Sequence, residues 1–247
     1  MDKIEKIKFE FYRIKEMGFV KSNRSHNTGI GKTFEDLLGV SENNKKDTDF
    51  LEFEVKSQRF LTGSKITLFT KSPSFPEKAN YFFVSRYGDS YSDNPLLKRI
   101  HTSFYGHKFN KYINKFAFKL DVNKRKKKIF ITVKDLLTDK VSNELFYYSF
   151  KDLEASISKL TNLFVVFADA KIIDGVEHFH YTKATVFLDF KFNKFLDMIN
   201  SGSIQYDIRI GSYKSGTNLG KPHDHGSGFR VNRNKLKELY SDVIILD

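Results

Sequence analysis

The spacing of apolar residues at the start of the chain predicts an amphipathic helix. Ile4, Ile7, Phe11 and Ile14 recur at intervals of three and four residues, so they lie on one face of a helix. Gly18 follows at a position where a helix C-terminus favours glycine. We interpret the apolar face of this helix as part of the protein core.

The pattern then changes to short runs typical of β-strands. Strands are predicted over residues 66–70, 81–86, 116–122, 129–133, 176–181, 185–190, 204–210 and 228–232. The run over 163–168 is continuously apolar, which is typical of a strand covered on both faces. Further helices are predicted over 34–38, 153–160, 195–199 and 236–240. No internal repeat or linker is evident, so we expect a mixed α/β protein with two closely joined lobes.

The segment from Asp49 to Lys56 combines strand-like alternation with charged side chains. In an extended strand its apolar residues lie on one face, and Glu52, Glu54 and Lys56 lie on the other. Carboxylates can hold a divalent cation, and a lysine can stabilise a water molecule and a phosphate. This face is a candidate active site, although half-exposed strands without catalytic function show the same pattern.

The net positive charge of the chain indicates which class of binding partner to expect. The 247 residues include 42 Lys and Arg against 30 Asp and Glu, a net charge of +12 that favours polyanions such as nucleic acid and would also attract a membrane surface. No apolar run approaches the ~20 residues needed to span a bilayer, and the charged N-terminal helix is unlike a signal peptide. We expect a cytoplasmic protein with no membrane association.

Cysteine is absent, which excludes disulfides, thiolate nucleophiles and cysteine-based zinc sites.

Residues 209–237 carry a local excess of basic side chains, with Asp224 as their single acid. Such an imbalance suits contacts with DNA phosphates and bases, although solvated surface charge is the alternative. Within this segment, His223 and His225 could instead form a metal pair, and His178 and His180 form a second pair of the same spacing. We favour polar contacts to bases, because no convincing third or fourth ligand accompanies either pair.

A glycine-rich segment over 29–33 is similar to part of a phosphate-binding loop. That motif requires a glycine where this chain has His26, and it requires a preceding strand that the sequence does not indicate. We therefore reject nucleotide binding at this segment.

Three separated blocks of sequence resemble the MvaI/BcnI family of restriction endonucleases, in the PD-(D/E)XK nuclease superfamily, to which the mismatch-repair nickase MutH is related. The blocks are NTGIGKTFEDLL at 27–38, TLFTKSP at 67–73, and DIRIG at 207–211 continuing through KPHDHG at 221–226 to FRVN at 229–232. They follow one another over nearly the whole chain. The region 110–162 is the least similar, and nothing is carried over to it.

The resemblance implies an α/β fold with a mixed sheet and a PD-(D/E)XK restriction-endonuclease-like core, in which two lobes form a DNA-binding cleft. The catalytic lobe would include about residues 27–135 and the DNA-recognition lobe about residues 160–247. Asp49 and Glu54 would bind Mg²⁺, for which Mn²⁺ would substitute. Lys56 would position the water and the phosphate, and Glu35 would be an accessory catalytic acid.

Asp49 does not fit a simple strand. Side chains alternate between the two faces of a strand, and Asp49 lies five residues before Glu54, so the two side chains would point to opposite faces. The resemblance implies a bend at the start of the strand that brings the two carboxylates together. Glu52 has the required parity but does not match a catalytic position of the family. We expect it to face solvent or a basic neighbour.

The function implied by the resemblance is that of a type II restriction endonuclease. It would hydrolyse double-stranded DNA at a short site of the CC(N)GG type, as a monomer that nicks each strand in turn, and it would have a cognate DNA methyltransferase. Two alternatives are a MutH-like strand-specific nickase and a non-catalytic sequence-specific DNA-binding protein. The second leaves Asp49 and Glu54 unexplained, because carboxylates without a metal repel phosphate.

The expected DNA contacts are Asp207, Arg209, Tyr213, Lys214, Lys221, His223, Asp224, His225 and Arg230.

Overall fold

A computed structural model describes residues 2–40, 49–60, 63, 65–142 and 145–247. The chain forms two compact units, each assembled from separated segments: unit 1 is Met1–Ser64, Ser158–Lys191 and Lys237–Asp247, and unit 2 is Lys65–Ile157 and Phe192–Leu236. These boundaries differ from the lobes drawn on the sequence, since residues 65–135 belong to unit 2 and residues 160–191 to unit 1. The assignment of catalysis and recognition to separate lobes stays a prediction.

The helices and strands alternate irregularly along the chain. The helices are α1 (Lys3–Glu16), α2 (Gly29–Leu37), α3 (Ala79–Tyr87), α4 (Phe150–Ile157) and α5 (Phe192–Ser201). The strands are β1 (Val20–Lys21), β2 (Glu54–Arg59), β3 (Ile66–Thr70), β4 (Asp89–Ser90), β5 (Lys98–Phe104), β6 (Asn110–Tyr112), β7 (Phe116–Asn123), β8 (Lys128–Asp135), β9 (Val141–Ser142), β10 (Tyr147–Ser149), β11 (Asn162–Ile173), β12 (Val176–Phe190), β13 (Ile204–Ser212), β14 (Pro222–Asp224), β15 (Gly228–Val231) and β16 (Tyr240–Leu246).

A mixed sheet forms the centre of unit 1. Its strands follow the order β1, β12, β11 and β2, and β16 also pairs with β12. The β2–β11 pair is parallel, whereas the other pairs are antiparallel. The predicted strand over 163–168 lies within β11, and all six of these residues are buried, as their continuous apolar character indicated.

Helices α1 and α2 pack their apolar residues into one core with this sheet. Ile7, Phe11 and Ile14 of α1 are fully buried, which confirms the predicted helix, and Gly18 has a φ of 67° just after its end. The predicted helix over 34–38 corresponds to α2, which begins five residues earlier, at Gly29. The same core includes Phe164 of β11.

Unit 2 contains two antiparallel sheets. The first follows the order β10, β8, β7 and β6, with β9 on β8. The second follows the order β3, β15, β13, β5 and β4, with β14 on β13. The predicted strands over 66–70, 116–122, 129–133, 204–210 and 228–232 are confirmed in these sheets. The charged turn after Asn123 joins β7 to β8, where Asn123 pairs with Lys128.

The sequence-based assignments of residues 81–86 and 236–240 are wrong. Residues 81–86 form part of helix α3 rather than a strand, because burial at helical spacing of Ala79, Phe83, Val84 and Tyr87 overrides the β preference of the aromatic residues. Residues 233–239 form a 3₁₀ helix, and the chain from Tyr240 onwards is strand β16 rather than the end of a helix.

The helices of the described residues are short. The longest of them, α1, has 14 residues and is rich in charged side chains. No helix in the described ranges has the length and apolar character required to cross a membrane.

Candidate active site and candidate nucleic-acid interface

A two-residue turn precedes strand β2. Phe50 and Phe53 exchange backbone hydrogen bonds of 3.0 and 2.8 Å across Leu51 and Glu52, whose φ angles are 51° and 74°. Positive φ at both central residues is the requirement of a type I′ hairpin turn. The single strand expected over 49–56 is therefore wrong in its first half, because β2 begins only at Glu54. This turn is the bend that was expected at the start of the strand, where Asp49 would otherwise point away from Glu54.

The turn brings Asp49 back beside the start of β2. Its Oδ2 accepts a hydrogen bond of 2.9 Å from the backbone N–H of Val55. Because this donor belongs to the residue after Glu54, the carboxylate of Asp49 is fixed next to the strand that carries Glu54 and Lys56. The hydrogen bond thus explains how residues of opposite parity meet at one site.

Glu54 and Lys56 lie on the same face of β2, one strand repeat apart. Lys56 Nζ donates to Glu54 Oε1 at 3.1 Å, and the two side chains are only 24% and 18% exposed. The other oxygen, Glu54 Oε2, is buried and has no hydrogen-bond partner. A buried carboxylate oxygen without a partner is costly, so this atom is a site where a bound group would remove a penalty.

Asp49 and Glu54 fit a hard divalent cation. Mg²⁺ is usually held by one or two carboxylates together with water and phosphate oxygens, so two protein ligands are enough. The unpaired Glu54 Oε2 is an oxygen of the required kind. Among the described residues no group of three or more His, Asp or Glu side chains could hold a metal.

Glu35 lies on α2 and lines a surface cavity of about 310 Å³. Ser57, the residue after Lys56, lines the same cavity, which places Glu35 close to β2. Arg24 and Lys32 also line it. Glu52, by contrast, is 70% exposed in its side chain and forms an ion pair with Lys3, as expected for a residue outside the catalytic set.

In unit 2, Asp207 is the centre of a polar network. It is only 9% exposed, and its Oδ1 accepts from Ser103 Oγ at 2.6 Å and from the Gln205 amide. Its Oδ2 lies 3.5 Å from Arg209 and 3.4 Å from Arg230 Nε. The Arg230 contact is an ion pair without hydrogen-bond geometry, since Nε has no hydrogen-bond partner. Burial, followed by the charge of Arg209, lowers the pKa of Arg230.

The sequence did not indicate Ser103 and Gln205 as parts of this network. Ser103 lies on β5, a strand that was not predicted, and pairs with Asp207 of β13. Gln205 shares a strand face with Asp207, two residues away. That spacing was the available signal for Gln205, whereas no local pattern marked Ser103.

Aromatic and histidine rings form a cluster close to this network. His223 lies 4.3 Å from His225 and 4.5 Å from Tyr213 between ring centroids, and the ring of His101 lies 6.0 Å from that of His225. His101, which the sequence did not indicate, pairs with Arg209 across β5 and β13. Burial is the main cause that lowers its pKa, so the neutral imidazole, which can both donate and accept, is favoured.

Both rings of the second histidine pair contact backbone carbonyl oxygens. A ring nitrogen of His178 lies 3.0 Å from the carbonyl oxygen of Val176, and one of His180 lies 3.1 Å from that of Lys15. These contacts give each imidazole a structural partner. The zinc alternative therefore gains no support from this pair.

The remaining predicted contact residues differ in how they are held. Asp224 Oδ1 accepts from the backbone N–H groups of Gly226 at 2.9 Å and Ser227 at 2.6 Å, which closes the loop after β14. Lys214 is exposed and pairs with Asp93 at 2.8 Å, and the ammonium of Lys221 donates to Asn218 at 3.0 Å. The two lysines lie at the surface, where a phosphate can replace these partners.

The comparisons with known proteins identify the family. The model of the MvaI/BcnI restriction endonuclease family matches residues 8–240. The chain belongs to the MvaI/BcnI restriction endonuclease family. It is therefore a site-specific deoxyribonuclease, and like its family it acts on DNA with divalent metal ions. No curated protein matches the sequence significantly.

Solved structures support the same assignment for this MvaI/BcnI family endonuclease. It is similar to the restriction endonuclease MvaI in a complex with its cognate DNA substrate, with a TM-score of 0.87, 33% identity, and coverage of 99% of this chain and 98% of that one. It is also similar to MvaI in the absence of DNA, with a TM-score of 0.66, 32% identity, and coverage of 100% and 98%. The expected mixed α/β fold is confirmed, whereas the roles of individual site residues stay predictions.

Proposed function

We propose that this MvaI/BcnI family endonuclease is a type II restriction enzyme that uses Mg²⁺, or Mn²⁺ in its place, to cut duplex DNA at a short site of the CC(N)GG type. The observation that carries the proposal is the grouping of Asp49, Glu54 and Lys56 at the start of β2, with Glu54 Oε2 lacking a partner. Carboxylate oxygens and one lysine are the groups that metal-assisted phosphodiester hydrolysis needs.

The residues of unit 1 would act on the scissile phosphate as follows. Asp49 and Glu54 would hold the ion, which when bound lowers the pKa of a water molecule and neutralises phosphate charge. Glu54 Oε1 orients the Lys56 ammonium, which would stabilise the negative charge that develops in the transition state. Glu35 would assist as the accessory acid from α2.

Sequence recognition would come from the polar network of unit 2. Arg209 and Arg230 can each donate two hydrogen bonds to a guanine, and the long contacts of Asp207 Oδ2 leave it able to accept from a cytosine amino group. Further donors would be His223 and His225. Tyr213, Lys214, Lys221 and Asp224 complete the proposed DNA-contacting set.

The comparisons weigh against both functional alternatives. Family membership argues against a non-catalytic DNA-binding protein. Similarity to MvaI over 99% of the chain, including the recognition region, supports a restriction enzyme over a MutH-like nickase. A restriction enzyme also requires a cognate DNA methyltransferase to protect the host, and we propose such a partner.

Incubation of a plasmid of known sequence with the purified protein and Mg²⁺, followed by mapping of the DNA ends, tests the proposal. We expect discrete fragments whose ends all fall at one short sequence of the CC(N)GG type, and no cleavage in EDTA. Nicking of one strand alone would support the MutH-like alternative. Binding without any cleavage, in both Mg²⁺ and Mn²⁺, would contradict catalysis.

A further inference from the structure

Tyr240, at the first position of β16, is a buried tyrosine whose hydroxyl takes part in none of the interactions described above. The residue is 7% exposed, and its hydroxyl oxygen is buried without a hydrogen-bond partner. Its ring packs 5.2 Å from that of Phe187 and 5.3 Å from that of Phe190. A phenylalanine would make the same ring contacts without burying an unpaired hydroxyl, so packing alone does not account for the oxygen.

The pairing of the unit 1 sheet places Phe187, whose ring Tyr240 contacts, on the face that carries Glu54. Glu54 pairs with Leu163 of β11, and Leu163 pairs with Phe187 of β12. Residues that lie opposite one another on neighbouring strands share a face of the sheet, so the side chains of Glu54 and Phe187 point the same way. Tyr240 itself lies opposite Phe190 in the register of β12 and β16, and the contact between its ring and that of Phe187 brings the ring next to the face that carries Glu54.

The two unpaired atoms are chemically complementary. Tyr240 provides a hydroxyl donor, and Glu54 Oε2 is an acceptor that lacks a donor. The hydroxyl is protonated at neutral pH, since the ordinary pKa of tyrosine is about 10, and so it is a donor.

We propose that Tyr240 is a positioning residue of the active site, whose hydroxyl donates to the Glu54 carboxylate through one water molecule and so fixes the carboxylate for metal binding. This inference rests on the proposed metal-binding role of Glu54. Hydrogen bonds to a ligating carboxylate orient it, and loss of such a partner typically weakens metal binding by about 10–100-fold.

Tyr240→Phe tests the proposal, because it removes only the oxygen and keeps the ring. Mn²⁺ binding to the free protein, measured by electron paramagnetic resonance without DNA, reports on the site apart from cleavage. We expect Mn²⁺ affinity to fall about tenfold, on the scale of such outer partners. The Mn²⁺ concentration for half-maximal cleavage should rise by a similar factor, while the thermal unfolding temperature stays equal or increases.

Tyr148→Phe is the matched control. Tyr148 is also fully buried with an unpaired hydroxyl, but it lies in unit 2. The Tyr148→Phe variant should leave Mn²⁺ binding unchanged. Wild-type Mn²⁺ affinity in Tyr240→Phe, or an equal loss in both variants, would overturn the role of Tyr240. Glu54→Gln separates this failure from failure of the proposed function: if it binds Mn²⁺ like the wild type, the metal site itself is wrong, and the role of Tyr240 falls with it.

Discussion

Arg209 and Arg230 differ from the surface lysines of unit 2, because both approach one buried carboxylate, that of Asp207. A guanidinium held in this way presents its remaining donors in a fixed direction, which suits bidentate contacts to a base. Lys124 is 58% exposed and pairs with Asp197 at the surface. We therefore expect Arg209 and Arg230 to read bases and Lys124 to contribute only to general attraction of DNA.

We expect Arg209→Ala and Arg230→Ala to reduce discrimination between cognate and base-substituted duplexes, since one good bidentate contact contributes about 1–3 kcal/mol of discrimination. The control Lys124→Ala should change only the salt dependence of binding, by at most ~0.9 in the logarithmic slope. Dissociation constants on both duplexes at fixed salt are the measurement. Equal losses on cognate and substituted DNA would show that the arginines contact only the backbone.

Ser103 is expected to act through Asp207. Its hydroxyl donates to Asp207 Oδ1, so Ser103→Ala should loosen the carboxylate and reduce discrimination in the same direction, by about 1.5–3 kcal/mol at most, the scale of a hydrogen bond to a charged group. Ser241→Ala removes a similar serine–aspartate hydrogen bond, at 3.0 Å to Asp189 on the surface of unit 1, and is the control. The same pair of duplexes measures both variants. If Ser103→Ala discriminates between the two duplexes as well as the wild type, Asp207 does not take part in recognition.

At the scale of elements, the turn before β2 determines which carboxylates meet. Sequence alternation selected Glu52 as a partner of Glu54, because it assumed an extended strand from residue 49. The positive φ angles of Leu51 and Glu52 reverse the chain instead and bring in Asp49. Nothing local in the dipeptide Leu51-Glu52 indicates such a turn, which usually carries asparagine or glycine. The family resemblance supplied what the local pattern did not.

Two substitutions at Glu52 test the role of this turn. Glu52→Gly should retain cleavage and should stabilise or leave unchanged the fold, because glycine adopts a φ of 74° without strain and an exposed ion pair contributes only about 0–1 kcal/mol. Glu52→Pro should lose cleavage and unfold at lower temperature, because proline fixes φ near about −65°. Cleavage rates and thermal melts measure both. Loss of cleavage in Glu52→Gly would instead give the Glu52 carboxylate a catalytic role.

The elements that were predicted correctly have strong local patterns. Helix α1 has regular apolar spacing, and β11 has a continuous apolar run. The long strand β12 was predicted as two strands because Thr182 is skipped in the pairing with β11, and this bulge interrupts the alternation. Helix α3 was missed because its aromatic residues favour strands locally, whereas packing of its buried face decides the outcome.

At the scale of the molecule, the two units could not be delimited from the sequence. Strand β2 pairs with β11 more than a hundred residues later, and β16 at the C-terminal end pairs with β12. Such pairing depends on long-range contacts, which local patterns do not encode. The residue types of the candidate active site were predictable, whereas the unpaired oxygens of Glu54 and Tyr240 required the structure.

The described part of the chain provides one grouping of Asp49, Glu54 and Lys56 for the two strands of DNA. We therefore expect a monomer that cuts one strand and then the other. Supercoiled plasmid should pass through a nicked intermediate whose rate of appearance is proportional to enzyme concentration, and sedimentation should give a mass near 28.8 kDa. A quadratic dependence on enzyme, with concerted double-strand cleavage and a sedimenting dimer, would contradict this model.

Lys56→Ala tests whether the face of β2 that carries Glu54 and Lys56 hydrolyses DNA. Cleavage and binding are measured on the same cognate duplex in Mg²⁺, with Lys3→Ala, an exposed lysine paired with Glu52, as the control. We expect cleavage to fall about a hundredfold or more, as for removal of one electrostatic stabiliser. Binding should survive, because many phosphate contacts support it. Near-normal cleavage by Lys56→Ala would show that this face of β2 is not the active site.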